Sequence, residues 1–520
     1  MNHQGLEQIY SLISRDPHAA LAFLRRLKPE SSADPALAAN WGSLLVETGT
    51  ALRDRAIVRE GIAGIEASLG GLGKEARPYV FYNLGNGYYA LDQLCDAQNA
   101  PLSNLEDSLP LAARDCYRQA ISEDSALPVS EQAKLRINYG NCLARFGRSI
   151  EAAAEYGHAL TLSPGHPMAA GNLAIELERL AFVSQDWRVL RDALTLLDTA
   201  LSDQRLDSVG IPGSRKAFDS VRVRAVKTLQ TLGHAHPTDS APLNEQPDTS
   251  LGDYQRYCAQ HGLFLNLWCE GVSRPNPMTD NVGLRLLVPV REQRTFVRLS
   301  RVLNEIKERF AVARYLLHRA QQEHAEDRAV DALTLYTDNL DYSTYGMTTA
   351  QIKVAFEGAF SVLDKIALFL NGYLVLGLPA RDVDFRALWR KEATRQAIDV
   401  RGTHGRPFLL ALHDIARELE TSLDLGRIPK KRNLSTHRYL VVHSEAWGWR
   451  DDADGREYHL GRGELVQDTV GLLKLVKSAV IYLIAFVSLQ ESEKLSKTSG
   501  PVPRIVMRHH PQRPRGRERG

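Results

Sequence analysis

Apolar residues recur at intervals of three and four positions over long stretches of this chain, whereas the strict alternation of a half-buried strand is scarce. This pattern predicts helices throughout. In the C-terminal half, one segment begins near residue 430, and the longest helical patterns cover 291–323, 348–376, 408–425 and 464–489. Four or five helices with short connections are typical of an up-and-down bundle, which we place over 286–490. We therefore expect an all-α fold.

Two segments of this bundle, 366–378 and 478–489, are strongly apolar. Both are shorter than the roughly 20 residues that a helix needs to span a bilayer. Lysines flank them, with Lys365 before the first and Lys474 and Lys477 before the second. We interpret both segments as buried core helices and expect no association with a membrane.

The N-terminal half contains a repeated unit, which is clearest over 132–164. Its first helix carries a large residue followed by a small one, and its second carries a small, an aromatic and a small residue before a proline. These positions are Tyr139, Gly140, Ala152, Tyr156, Ala159 and Pro164. Small residues let the two helices approach closely, the aromatic ring fills the groove between them, and proline ends the second helix. The unit resembles the tetratricopeptide repeat.

Two neighbouring segments follow the same pattern. The downstream unit has its pattern residues at Leu173, Ala174, Ala193, Leu197 and Ala200. The upstream unit has them at Leu84, Gly85, Ala113, Tyr117 and Ala120. Three units can stack into a stable solenoid. We therefore predict a tetratricopeptide-like solenoid over 76–205, preceded by degenerate or capping repeats over 1–75, and the resemblance implies a groove that binds a protein partner.

The composition changes after the repeats. Residues 206–285 include a stretch rich in proline and polar residues at 233–251, which predicts a linker and docking segment. The helical bundle follows over 286–490. Residues 491–520 are rich in arginine and proline, which predicts a basic disordered tail. This tail is either merely solvated or attracts RNA phosphates without regard to sequence.

Charge and cysteine content narrow the possible classes of protein. The formal net charge of +2 is nearly neutral, so any nucleic-acid site must be a local basic cluster. The five cysteines are odd in number and include no CxxC pair, which argues against a disulfide framework or a zinc site. The first ten residues are polar, unlike the apolar core of a signal peptide. We expect reduced thiols in a cytoplasmic protein.

One cluster of residues has the chemistry of an active site. The run KKRNLSTHR covers 430–438 and follows Pro429, where a helix could begin. Within it, Arg432, the polar Asn433 beside it and His437 resemble the signature of the HEPN superfamily. In that signature an arginine and an adjacent polar residue precede a histidine at this spacing. The sequence contains neither the HExxH nor the GxSxG motif.

The spacing between arginine and histidine is not specific by itself. Other pairs share it, namely Arg256/His261, Arg319/His324, Arg406/His413, Arg438/His443 and Arg504/His509. In none of these pairs does an amide or acidic residue follow the arginine. The competing interpretation of Arg432 and His437 is a basic helix start with a surface histidine.

The HEPN resemblance implies a C-terminal helical bundle that cleaves RNA and pairs with a second copy, so we expect a homodimer. Histidine suits proton transfer near neutral pH, and an arginine fork can neutralise the charge that develops on a phosphate. We assign catalysis to Arg432, Asn433 and His437 and expect neither a metal nor another cofactor. The residues expected to support catalysis are Ser435, Thr436, Arg438 and His443, and those expected to contact RNA are Lys430 and Lys431.

Three functions remain open at this point. The first is a metal-independent endoribonuclease that leaves 2′,3′-cyclic phosphate ends, as in a toxin or an antiviral effector controlled by its repeat domain. The second is a non-catalytic scaffold whose solenoid binds a protein and whose bundle dimerises. The third is nucleotide binding or nucleotide transfer by the same arginine and histidine. Arg432, Asn433 and His437 favour the first, because a scaffold does not need them.

Overall fold

The structure is a computed structural model, and it confirms an all-α fold. The residues it describes are 3–27, 34–95, 109–184, 187–210, 213–231, 252–267, 279–284, 286–287, 293–322, 324–337, 342–421, 428, 439–444 and 457–498.

The helices of the N-terminal part, in chain order, are α1 His3–Arg15, α2 Pro17–Arg26, α3 Pro35–Leu52, α4 Arg55–Ser68, α5 Arg77–Gln93, α6 Leu109–Ser122, α7 Val129–Arg145, α8 Ser149–Leu162, α9 Pro167–Ser184, α10 Trp187–Ser202, α11 Leu206–Val209 and α12 Ser214–Thr231. Those that follow are α13 Gly252–Gln260, α14 Gln293–Arg319, α15 Ala325–Asp331, α16 Met347–Tyr373, α17 Ala387–Arg390, α18 Glu392–Arg401, α19 Arg406–Thr421 and α20 Arg462–Ser496. Two short strands, β1 Tyr439–His443 and β2 Glu457–Gly461, lie between α19 and α20.

Glycines bring the N-terminal helices together in pairs. A Cβ atom added at Gly140 of α7 would lie 2.6 Å from the ring of Tyr156 in α8. A Cβ atom at Gly85 of α5 would lie 2.7 Å from the ring of Tyr117 in α6. The close approach and the aromatic ring in the groove are those that the sequence predicts for these two helix pairs.

The helical stack continues beyond α10. Helix α12 packs against α9 and α10, and a Cβ atom at Gly171 of α9 would lie 2.2 Å from the ring of Phe218 in α12. Helix α12 therefore adds a layer to the stack within the segment 206–285.

Three long helices form the centre of the C-terminal part. Helices α14, α16 and α20 pack on one another, and α19 packs on α20. The bounds predicted for these four helices agree with those observed to within a few residues, except that α20 extends to Ser496. In the described part of the chain, α20 is the one helix long and apolar enough to cross a membrane, and 83% of its most apolar window is buried.

The strands β1 and β2 pair in parallel, with Tyr439 opposite Glu457 and Val441 opposite His459. These strands could not be predicted from the sequence, because an apolar run of five residues fits a strand or a buried helix equally well. A parallel pair needs a connection of about a dozen residues, which 444–456 provide. The helix expected to begin near residue 430 does not extend to Tyr439, where β1 begins, and residues 429–438 lie outside the described residues.

The N-terminal and C-terminal parts share one core. A continuous cluster of buried apolar residues extends from Ala113 of α6 to Val487 of α20. Helices α1 to α5 pack around two smaller clusters of their own. The N-terminal helices and the C-terminal bundle are thus joined by apolar packing.

Buried charges also join the two parts. Arg114 of α6 donates to Asp414 of α19 at 2.8 Å, and Arg148, next to α8, donates to Glu418 of α19 at 2.8 Å. Arg118 forms an ion pair with the same Glu418. Burial of two carboxylates is tolerated here because each faces guanidinium groups.

Candidate functional site

The residues assigned to catalysis, Arg432, Asn433 and His437, lie outside the described residues. The same is true of the residues predicted to support them or to contact RNA, namely Lys430, Lys431, Ser435, Thr436 and Arg438. Their assignment stays a prediction. His443 is described, and it ends β1, the strand that begins two residues after His437 in the chain.

The two-stranded ribbon lies at one end of the C-terminal bundle. Thr344, just before α16, donates its backbone N–H to the carbonyl of Val442 at 2.7 Å. Lys353 of α16 donates to the carbonyl of Leu440 at 2.7 Å, and Arg462, the first residue of α20, donates to the carbonyl of Ala320 at 2.6 Å. Burial lowers the pKa of Lys353. The ribbon is thus fixed where α14 ends and where α16 and α20 begin.

Successive side chains of a strand point to opposite faces of the sheet. On β1, Leu440 and Val442 are buried, whereas Tyr439 is exposed and Val441 is half-buried. The side chains that share the face of Tyr439 and Val441 are His443 on β1 and Glu457 and His459 on β2. This outer face therefore carries titratable groups, while the other face packs on the helices.

The two histidines of the outer face are in direct contact. Nε2 of His443 lies 2.9 Å from Nδ1 of His459, and the rings are nearly parallel, with centroids 5.2 Å apart. Nε2 of His459 lies 3.4 Å from the carboxylate of Glu457. His443 is only 1% exposed, so the three side chains run from the buried end of the ribbon outward to the solvent.

His443 was predicted from the sequence as a supporting residue, whereas His459 and Glu457 were not predicted. Neither belongs to a motif, and the contact between the histidines depends on the register of a parallel pair whose strands are separated by 13 residues. The sequence offered only one indication of this face, the alternate positions 439, 441 and 443 of β1. Three positions are too few to identify a strand without the structure.

The family model described as LA2681-like HEPN matches residues 290–490. This region, less than half of the chain, contains α14 to α19, both strands, most of α20 and the run over 430–438. No curated protein and no solved structure matches the chain.

The fold and the match together indicate which kind of domain the C-terminal part resembles. The chain is all-α, and its residues 290–490 are similar to a HEPN domain. HEPN domains are in general ribonucleases, so the match supports a HEPN-type nuclease or a related function.

Proposed function

We propose that the protein is a metal-independent endoribonuclease of the HEPN type. One observation carries the proposal: Arg432, Asn433 and His437 lie inside the region that matches the HEPN family model. A scaffold would need the helical bundle but not these three polar side chains.

The chemistry of the three residues suits RNA cleavage. The 2′-hydroxyl of RNA can attack the neighbouring phosphate once a base removes its proton, and His437 has a side chain suited to that step. The guanidinium of Arg432 would neutralise the charge that develops on the non-bridging oxygens. Asn433 would orient the histidine or the phosphate through its amide. The nucleophile comes from the substrate, so the mechanism requires no metal ion.

The remaining expectations form part of the same proposal. The N-terminal helix pairs act as tetratricopeptide-like repeats and bind a protein partner that controls the nuclease, as in a cytoplasmic toxin or antiviral effector. The packing of Gly85 on Tyr117 and of Gly140 on Tyr156 supports this assignment. Two copies pair through the HEPN domain so that their two motifs face one cleft.

The test uses the purified full-length protein and single-stranded RNA in EDTA. Cleavage that leaves 2′,3′-cyclic phosphate and 5′-hydroxyl ends supports the proposal. If no RNA is cut, with or without candidate partners, the ribonuclease assignment fails. Transfer of a labelled nucleotide to a protein would then favour the nucleotide-transfer alternative, and its absence would favour the scaffold.

A further inference from the structure

Cleavage of RNA by its own 2′-hydroxyl requires two proton transfers. A bond forms between the 2′-oxygen and phosphorus while the bond from phosphorus to the 5′-oxygen breaks. One proton leaves the 2′-hydroxyl, and another must reach the departing 5′-oxygen. The proposed function gives the first transfer to His437, so the second proton still needs a donor.

The outer face of the ribbon offers a candidate donor close to the predicted motif in the chain. His459 stands opposite Val441, and Glu457 stands opposite Tyr439, the residue that follows Arg438. The side chain of His459 is 12% exposed and that of Glu457 is 47% exposed. This face is therefore open to solvent at its Glu457 end.

The contacts of His459 suit the donation of a proton from one particular nitrogen. When Nδ1 of His459 donates to Nε2 of His443, the ring is held in place through its Nδ1 side. Nε2 then points toward the carboxylate of Glu457, 3.4 Å away, on the side of the ribbon that is open to solvent. His443 is buried and stacks on His459, so it restricts rotation of that ring.

We infer that His459 is a second catalytic residue, which protonates the leaving 5′-oxygen of RNA, and that His443 and Glu457 are its positioning residues. This inference rests on the proposed ribonuclease function and names a residue outside the predicted motif. The carboxylate of Glu457 lies within ion-pair distance of Nε2 but is half exposed, so a phosphodiester can take its place beside Nε2.

The step is balanced in protons and bonds. The proton of the 2′-hydroxyl passes to His437, the 2′-oxygen bonds to phosphorus, and the 5′-oxygen departs with the proton from Nε2 of His459. The products are a 2′,3′-cyclic phosphate and a 5′-hydroxyl. Exchange with water then returns a proton to His459 and removes one from His437.

A substrate with sulfur in place of the bridging 5′-oxygen tests this role. A thiol is far more acidic than an alcohol, with a pKa of about 8.5 for a cysteine side chain, so a thiolate leaves without being protonated. We expect His459→Gln in the full-length protein to cut ordinary RNA ~10²–10⁴-fold more slowly and the sulfur-containing RNA at the wild-type rate. Glu457→Gln, which keeps the shape of the side chain, should show a smaller deficit that sulfur also removes.

His404→Gln is the matched control, because His404 also faces a carboxylate, that of Glu493 at 3.3 Å, in a different part of the domain. It should cut both substrates at the wild-type rate. If each of His459→Gln and Glu457→Gln is slowed as much on the sulfur-containing RNA as on ordinary RNA, His459 does not protonate the leaving oxygen. The same conclusion follows if both variants cut ordinary RNA at the wild-type rate. Either result would overturn the role of His459 and leave the proposed ribonuclease function untouched. If the wild-type protein cuts neither RNA, the proposed function is wrong, and the role of His459 is then wrong as well.

Discussion

Burial and charge act in opposite directions on Glu418 of α19. Burial alone would raise the pKa of its carboxyl group. The guanidinium groups of Arg118, Arg114 and Arg148 lower it, and the net pKa lies well below the usual range. Glu418 therefore stays ionised. The contact between the N-terminal helices and the bundle consequently depends on this buried carboxylate and its guanidinium partners, and loss of either side would leave an unpaired buried charge.

The balance is reversed at His413, five residues earlier on the same helix, where the nearby Asp414 raises the pKa by less than burial lowers it. His413 is buried, and burial together with the nearby charge of Arg417 lowers its pKa to about 3. Below about pH 6.5 an unfolded chain protonates this histidine while the folded chain does not. Protonation of the unfolded state therefore removes stability as the pH falls from 6.5 toward 3.

We predict that the free energy of unfolding of the wild-type protein falls between pH 6.5 and pH 5 by about 1.6 kcal/mol more than that of His413→Leu, since the unfolded histidine is half protonated at pH 6.5 and the loss per pH unit rises below it toward about 1.4 kcal/mol. Urea unfolding at both values measures the difference. Between pH 7 and pH 8, where the histidine is neutral in both states, the two proteins should change equally. Equal losses in the acidic range would show that His413 does not act in this way.

At the scale of elements, the sequence predicted the helices better than the strands. Long helical patterns at 291–323 and 348–376 identified α14 and α16, because each contains many turns of the same periodicity. The ribbon of β1 and β2 was missed, because five residues carry little pattern and the pairing depends on distant residues. For the same reason His459 could not be predicted, although Arg432 and His437 could be proposed from their local spacing.

The close pairing of α7 and α8 can be tested at Gly140. Alanine normally stabilises a helix relative to glycine by about 1 kcal/mol. At Gly140, however, the new Cβ atom would lie 2.6 Å from the ring of Tyr156, so we predict that Gly140→Ala destabilises the protein by about 1–3 kcal/mol.

Gly471 provides the matched control, because it lies within α20 and no neighbouring atom lies within 4 Å of its added Cβ. Gly471→Ala should stabilise the protein, or leave it unchanged, in the same thermal unfolding experiment. Stabilisation by both substitutions would contradict the close contact between α7 and α8.

The N-terminal helices and the C-terminal bundle depend on each other. The shared core and the buried ion pairs join residues that are up to 300 positions apart, such as Arg114 and Asp414. No local pattern in the sequence could indicate such contacts. Through these contacts the N-terminal part touches α19 directly, and α19 is the last described helix before the predicted catalytic motif.

We consequently predict that residues 286–490, expressed alone, do not reach the stable fold that they have in the full chain. It lacks Arg114, Arg118 and Arg148, and removal of one partner from a buried ion pair costs about 3–5 kcal/mol. Circular dichroism should show a lower melting temperature, or no cooperative transition. A chain ending at residue 498, which keeps every described residue, should melt like the full-length protein. A fragment as stable as the full chain would contradict the shared core.

Single-turnover cleavage of RNA by full-length variants in EDTA tests the catalytic role proposed for Arg432, Asn433 and His437. His437→Ala should lose ~10²–10⁴-fold in rate, because the proton-transfer group is gone. Arg432→Ala should be affected to a similar degree, because the phosphate charge loses its partner. His324→Ala, at another arginine–histidine pair of the same spacing, should cut at nearly the wild-type rate. If His437→Ala and His324→Ala cut RNA equally well, His437 is not the catalytic histidine and the proposed active site is wrong.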